Sequence, residues 1–299
     1  MDNKLIKWWG EEMIKSYLEL SCDEKDKLLV FLNRNNQNVA LSEMRKMFEN
    51  KIYGNGDGIL VFKDDNRVIC VGRVVLKEIP LTGIAYIHFL DILENLPNKK
   101  EVIKQMINEC YKKAEEYNAD KILLGFRKKE TIDMLHEIGF DADYEAKVMT
   151  LCDRTKKEKV LNIEEINKEN KLEYMKLYNE SFNNMPHGAS LDEEEADEYL
   201  NESNTGNKYF IVSNSRENIG VLNTTIKGKR GTFDIGLSSR FRGKGYGKRL
   251  LETAIDFFEN KDIEDVYLIV IETNKIAYKM YKKRGFKEDK VLSYWISLK

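Results

Sequence analysis

One stretch limits what this chain can fold into: residues 238–258, SSRFRGKGYGKRLLETAIDFF. A short extended segment, Thr232 to Leu237, leads into it, and an amphipathic helix leads out. Between them stand Arg242, Gly243, Lys244, Gly245, Tyr246, Gly247 and Lys248. Three glycines in five residues allow backbone that a Cβ would block and let main-chain N–H groups approach a ligand closely. The helix adds its unpaired N–H groups and partial positive charge at the same spot. With Arg242, Lys244 and Lys248 alongside, the order strand, glycine turn, helix predicts a phosphate or pyrophosphate site. Neither common phosphate motif fits: Gly247 is followed by Lys248-Arg249 rather than Lys-Ser/Thr, and the glycine spacing is not G-x-G-x-x-G.

A second motif follows about 30 residues on. Asp265 to Ile271 (DVYLIVI) is apolar and β-branched, as a buried strand requires. Asn274 then caps a helix on which Ala277 and Tyr281 share a face, and Gly285 ends it. The pattern R-x-x-G-x-G at Arg242, Gly245 and Gly247, with N-x-x-A-x-x-x-Y-x-x-x-G-F from Asn274 to Phe286, resembles the GNAT N-acetyltransferases, which bind acetyl-CoA. The two motifs together span Thr232 to Phe286.

The rest of the chain narrows the setting. A length of 299 residues favours two domains over one. Charged residues make up 33% but the net charge is −2, so no general electrostatic pull toward nucleic acid or an anionic membrane is expected. No run of eighteen apolar residues occurs, and the start, MDNKLIKWWGEEMIK, lacks a signal-peptide core. Cys22, Cys70, Cys110 and Cys152 lie 40 to 48 residues apart with no C-x-x-C, which suits a reduced, cytoplasmic protein. His88 and His136 have no clustered carboxylate or cysteine at metal spacing, so no metal is implied.

Periodicity predicts helices from Glu11 to about Asn50, with Trp8 and Trp9 as their packing groups, then a turn cluster at Gly54, Gly56 and Gly58. Strands are expected at Gly58 to Lys63, Arg67 to Lys77 and Ile84 to Leu93, a helix at Asn98 to Tyr117, and strand, helix, strand at Lys121 to Phe126, Glu130 to Ile138 and Tyr144 to Cys152. The order restarts near Arg154: a strand at Val160 to Ile166, then a helix at Asn170 to Phe182 with Leu172, Met175, Leu177 and Tyr178 inward. A capping box at Ser190 to Glu193 opens a helix through Leu200. Strands at Tyr209 to Ser213, Gly220 to Ile226 and Thr232 to Leu237 precede the motifs, and Val291 to Leu298 closes the sheet.

Gly139-Phe140 shadows Gly285-Phe286 at an offset of 146, each after a strand and a helix. The expected fold class is therefore α+β: two tandem GNAT-type domains, each a mixed, mostly antiparallel sheet flanked by helices, as in families related to mycothiol synthase. The boundaries are 1–154, with a helical N-terminal cap, and 155–299. The copies differ in chemistry. The offset puts Leu135 at the Tyr281 position and Lys128 at the Asn274 position, and no glycine occurs between Gly83 and Gly125. The first copy reads as degenerate, retained for burial, with one acetyl-CoA per chain.

The resemblance implies acetyl transfer from acetyl-CoA to an amine, of a small molecule by preference. Amides from Arg242 to Lys248 would hold the pyrophosphate, and the strand edge at Ile235 and Leu237 would pair with pantetheine as an added strand does. Asn274 would contact the pantetheine arm or simply cap its helix. Tyr281 would protonate the leaving thiolate, a feasible transfer with ordinary pKa values of about 10 and 8.5. The base is open: Asp234 lies on a central strand and His187 on the loop before Ser190, while the Glu some relatives carry twelve residues before the tyrosine is Ile269 here. No cysteine follows Cys152, so direct transfer in a ternary complex is expected. The acids Asp192 to Glu195, Asp197 and Glu198 read as a solvated helix start before they read as an attractor for a cationic acceptor. Two other readings are a protein or peptide N-acetyltransferase and a non-catalytic acyl-CoA-binding regulator; a pure binder has no need of Tyr281.

Overall fold

The computed structural model describes residues 14–35, 37–64, 67–155, 158–183, 185–202, 206–259, 261 and 263–299, without the side chains of 89–91. Trp8 and Trp9 lie outside the described residues. Contacts divide the chain into two units, 1–143 with 294–299, and 144–293.

In the first unit, β1 (Ile14–Ser16) leads through a 3-10 turn to α1 (Cys22–Asn33) and α2 (Leu41–Phe48). The expected helix across the start is thus a strand, because Ile14 to Ser16 pair antiparallel with Phe62 to Leu60, and Ser21 then caps α1 by accepting from the Glu24 N–H. A 3-10 segment at 51–56, left-handed at Gly54 and Asn55, turns the chain into β2 (Ile59–Asp64). β3 (Arg67–Val75), the short α3 (Ile79–Thr82), β4 (Ile84–Ile92), α4 (Lys99–Glu116), β5 (Lys121–Phe126) and α5 (Lys129–His136) follow. Neighbours run β1-β2-β3-β4-β5, antiparallel except for β4 with β5. Both sheet faces are covered, as the alternation in β2 requires: Leu60 and Phe62 pack toward Met106 and Cys110 of α4, and Ile59 and Val61 toward Leu28 of α1 and Met44 of α2.

The second unit begins with β6 (Tyr144–Leu151), then β7 (Asn162–Glu165), α6 (Lys171–Phe182), α7 (Glu193–Asn201), β8 (Asn207–Ser213), β9 (Asn218–Lys227), β10 (Arg230–Leu237), α8 (Tyr246–Glu259), β11 (Asp265–Ile271), α9 (Lys275–Arg284) and β12 (Phe286–Ser297). Neighbours run β6-β11-β10-β9-β8-β7, with β10 and β11 parallel and the rest antiparallel. One face packs on α8 and α9 through Leu250, Leu251, Phe258 and Tyr281, the other on α6 and α7 through Tyr174, Leu177 and Ala196.

Four sequence expectations change. The first unit ends at Asp143, ahead of the expected boundary at 154, because β6 pairs with β11 over Tyr267↔Thr150 to Ile271↔Ala146. The last six residues count with the first unit, where Tyr294 to Ser297 pair with Phe126 to Leu123. Leu172 is 54% exposed, and the fully buried residue of α6 is Tyr174, whose hydroxyl is satisfied by donating to Asn223 Oδ1 at 2.6 Å. The capping box of α7 is Asp192 with Glu195, two residues later than Ser190 with Glu193.

Candidate functional site

The glycine turn is built as an open cradle. After β10 a 3-10 turn at Ser239–Phe241 buries Phe241, and the chain then passes through left-handed backbone at Gly243 (φ 75°) and Gly245 (φ 85°) before α8 begins. L-residues rarely adopt that region. A Cβ added at Gly243 or Gly245 would meet nothing within 4 Å, and both residues, with Lys244 and Lys248, are exposed. The first-turn N–H groups of α8 lack intrahelical partners by geometry, so amides and helix dipole face the same open space, with the exposed Lys244 and Lys248 in the same turn. That is a fit for a diphosphate.

Two residues of the predicted loop act as its frame. Arg242 donates from Nε to the Leu237 carbonyl (3.1 Å) and from a terminal nitrogen to the Ser181 carbonyl (2.9 Å), tying the turn to β10 and α6. Tyr246 packs edge-on to Phe241 and accepts from Asn214 at 3.1 Å. Gly247 lies against α9: its missing Cβ would stand 3.4 Å from Met280 Sδ. The two motifs thus meet in space.

Beside this turn, β10 has a free edge among the described residues. Its described ladder with β11 covers only Arg230 to Thr232 against Asp265 to Tyr267, while its ladder with β9 continues to Leu237. Strand alternation decides which groups the edge offers. Ser238 N–H donates to the Ile219 carbonyl of β9, and Ile226, opposite Gly231, donates away to Gly206. Even-numbered residues of β10 therefore bond to β9, and Phe233, Ile235 and Leu237 direct their main-chain groups to the opened side, where the Leu237 carbonyl already accepts from Arg242. Ile235 and Leu237 are the two the sequence singles out.

On α9, Asn274 caps the helix by accepting from the Ala277 N–H at 3.2 Å, and Gly285 (φ 112°) ends it. Arg284 and Glu252, both buried, form a bidentate pair at 2.6 and 3.2 Å that fixes α9 on α8. Tyr281 is 9% exposed, packs 6.0 Å from the Phe286 ring, and has no hydrogen-bond partner among the described residues. Burial, and then the negative charge of Asp234, push its phenol up, so it holds its proton at neutral pH.

Asp234 retains accessible surface, yet surrounding protein desolvates its carboxyl and raises its pKa. It acts electrostatically on Tyr281 and on Tyr199 of α7; burial, Glu195, Glu202, Asp234 and Glu198 together push Tyr199 to about 12. Next to it on the same face, Gly236 lies under Ser181 and Phe182: an added Cβ would stand 2.6 Å from Ser181 Cβ. Tyr199 stacks on Tyr209 at 3.9 Å, with Tyr174 edge-on to both.

The structure therefore sets Gly247 against Met280 of α9 and near Leu237 of β10, and Tyr281 within the electrostatic reach of Asp234. His187 (φ 59°) is engaged elsewhere: Nε2 lies 2.9 Å from the Tyr144 hydroxyl and the rings meet edge-on. No described contact joins it to Asp234 or Tyr281. Tyr199, Phe182 and Met280 went unnoticed in the sequence; the single local signal was Gly236 inside a strand, which marks close approach of another group. Among the described residues no group of His, Cys, Asp and Glu gathers as metal ligands, and no helix is long and apolar enough to cross a membrane.

Residues 172–286 match the family model for acetyltransferases (GNAT). No curated protein matches the chain. Among solved structures, a conserved protein of unknown function from Enterococcus faecalis is similar at 12% identity, with TM-score 0.62 over 95% of this chain and 71% of that one. A GCN5-related N-acetyltransferase from Anabaena variabilis is similar at 11% identity and TM-score 0.58, over 95% and 72%. An acetyltransferase of the GNAT family from Colwellia psychrerythraea is similar at 9% identity and TM-score 0.53, over 95% and 98%. These likenesses establish the fold. The family match itself falls on residues 172–286, inside the second unit.

Proposed function

We propose that the chain is an acetyl-CoA-dependent N-acetyltransferase acting on a small-molecule amine in the cytoplasm, and that it is a tandem pair of GNAT-type domains with the chemistry in the second. The observation that carries this reading is the free edge of β10, with Ile235 and Leu237 turned outward between an open glycine cradle and the protonated Tyr281. The amides of residues 243–248 and the side chains of Lys244 and Lys248 would hold the pyrophosphate, with Arg242 and Tyr246 framing the turn. The β10 edge would receive the pantetheine amides. Asn274, already committed to its helix cap, would serve by setting the start of α9.

In the transfer, the acceptor nitrogen forms its bond to the acetyl carbon as the carbon–sulfur bond breaks. Tyr281 gives its proton to the sulfur, and the proton lost from nitrogen goes to Asp234, whose raised pKa makes it a better base than an unperturbed aspartate. His187, tied to Tyr144, would shape the loop that borders the acceptor. Likeness over both units to single chains of this fold supports the tandem arrangement.

A panel of amines assayed for CoA release tests the reaction. Tyr281→Phe should lower kcat by roughly 10² while leaving acetyl-CoA affinity nearly unchanged. Normal turnover in that variant would leave the tyrosine as packing and remove it from the chemistry.

A further inference from the structure

The first unit carries a patch whose charge is the inverse of the second unit's. Three neighbouring strands place Arg73, His88 and Gly125 opposite one another across β3, β4 and β5. The missing side chain of Gly125 is filled by the Trp295 indole: an added Cβ would lie 2.7 Å from the ring. His88 and Tyr86 stand edge-on to the same indole, with centroids at 5.4 and 6.1 Å. In the second unit the matching cross-strand pair on β9 and β10 is Asn223 with Asp234, an amide and an acid. Here it is a guanidinium and an imidazole.

Among the described residues the guanidinium has no counter-charge. Arg73 Nε is buried with no hydrogen-bond partner, and one terminal nitrogen makes a long bond, 3.3 Å, to the Tyr53 hydroxyl. No carboxylate pairs with it among the described residues; the Phe48 and Tyr53 rings, 5.5 and 5.6 Å away, are its remaining support. Arg127, just past the end of β5, is exposed, forms no ion pair among the described residues, and joins Arg73 in acting on His88. A cation withdrawn from water is costly unless an opposite charge meets it. Phosphate-loop chemistry is missing from this unit, so a diphosphate is the wrong occupant.

We propose that the first unit holds a binding site for a small organic anion, whose carboxylate or phosphate meets Arg73 and Arg127 and whose body lies against Trp295. The full-length protein is titrated with benzoate, phenyl phosphate and inorganic phosphate, by calorimetry and by tryptophan fluorescence, with neutral benzamide as the control. The expected result is saturable binding of benzoate or phenyl phosphate, no binding of benzamide, and a fluorescence change that disappears in Trp295→Phe. Affinity should fall about tenfold or more in Arg73→Met and several-fold in Arg127→Ser, the scale of losing a charge-assisted hydrogen bond. Preference for the phosphate or the carboxylate probe identifies the anion's head group. Failure of all three anions to bind at 10 mM (about the weakest affinity of interest), or binding that is unchanged in both arginine variants, overturns the proposal. Arg127 is exposed and makes no ion pair among the described residues, so its variant decides the matter if Arg73→Met does not fold.

Discussion

His88 is crowded by the sheet and faced by Arg73 and Arg127, and burial first, then those two charges, hold its imidazole down to about 4. The unfolded chain takes up that proton near pH 6.5, so between 6.5 and 4 it binds more protons than the folded chain and stability rises with pH across this window. At pH 5 the loss relative to neutral pH should be about 2 kcal/mol. Urea unfolding at pH 7.5 and pH 5 checks this, and His88→Gln should narrow the difference between the two; an unchanged pH dependence would assign the acid sensitivity elsewhere. Glu24 contributes in a separate window. A hydrogen bond from Lys63 holds it at about 2, so its stabilisation is intact above about 4.5 and is lost as pH falls toward 2.

At the scale of elements, α9 is held by one buried ion pair as well as by its apolar face. Arg284→Met leaves the Glu252 carboxylate buried without its partner and should cost about 3–5 kcal/mol, most of it recovered when Glu252→Met is added. Denaturant midpoints of the two single variants and the double variant measure this; additive losses would show that the pair is unimportant as a pair. The arginine was hard to recognise in the sequence because its partner lies 32 residues away on another helix. Elements with strong local patterns were legible: β5 and β11 begin and end where the apolar runs do, and α4 follows its apolar stripe. Those fixed by long-range pairing were not. Three residues of β1 exist by virtue of β2, and β12 opens with the charged run Lys287 to Lys290, which has no alternation to read. Tyr174 was missed because its hydroxyl is satisfied by Asn223, across 49 residues of sequence. The candidate site divides in the same way. The glycine cradle and Tyr281 are local motifs, whereas the coupling of Asp234 to Tyr281 and Tyr199 depends on how three elements converge.

For the whole molecule, the two units differ where a diphosphate would bind. In the first, the start of α4 and the face of α5 border a cavity of about 680 Å³ lined by Glu101, Glu130, Asp133 and Glu137 beside Lys99 and Lys100, with Pro97 lacking an N–H. Carboxylates there oppose a phosphate, so calorimetry should give one acetyl-CoA per chain. The path of the chain then determines which fragments fold. A cut at 154, the boundary the repeat suggests, removes β6 and its five residue pairs with β11, leaving Tyr267 to Ile271 as a bare, largely apolar edge. Met149 and Leu151 leave the core with it, at about 1.5–3 kcal/mol for each fully buried side chain. A fragment of residues 144–293 keeps that strand and omits only the six residues that count with the first unit, where Ile296 joins the core. Expressed side by side, 144–293 should be the more soluble and should melt cooperatively, whereas 155–299 should aggregate. Equal solubility and equal melting temperatures would show that β6 contributes nothing to the second unit's stability, and the division at Asp143 would then describe contacts without describing how the chain folds.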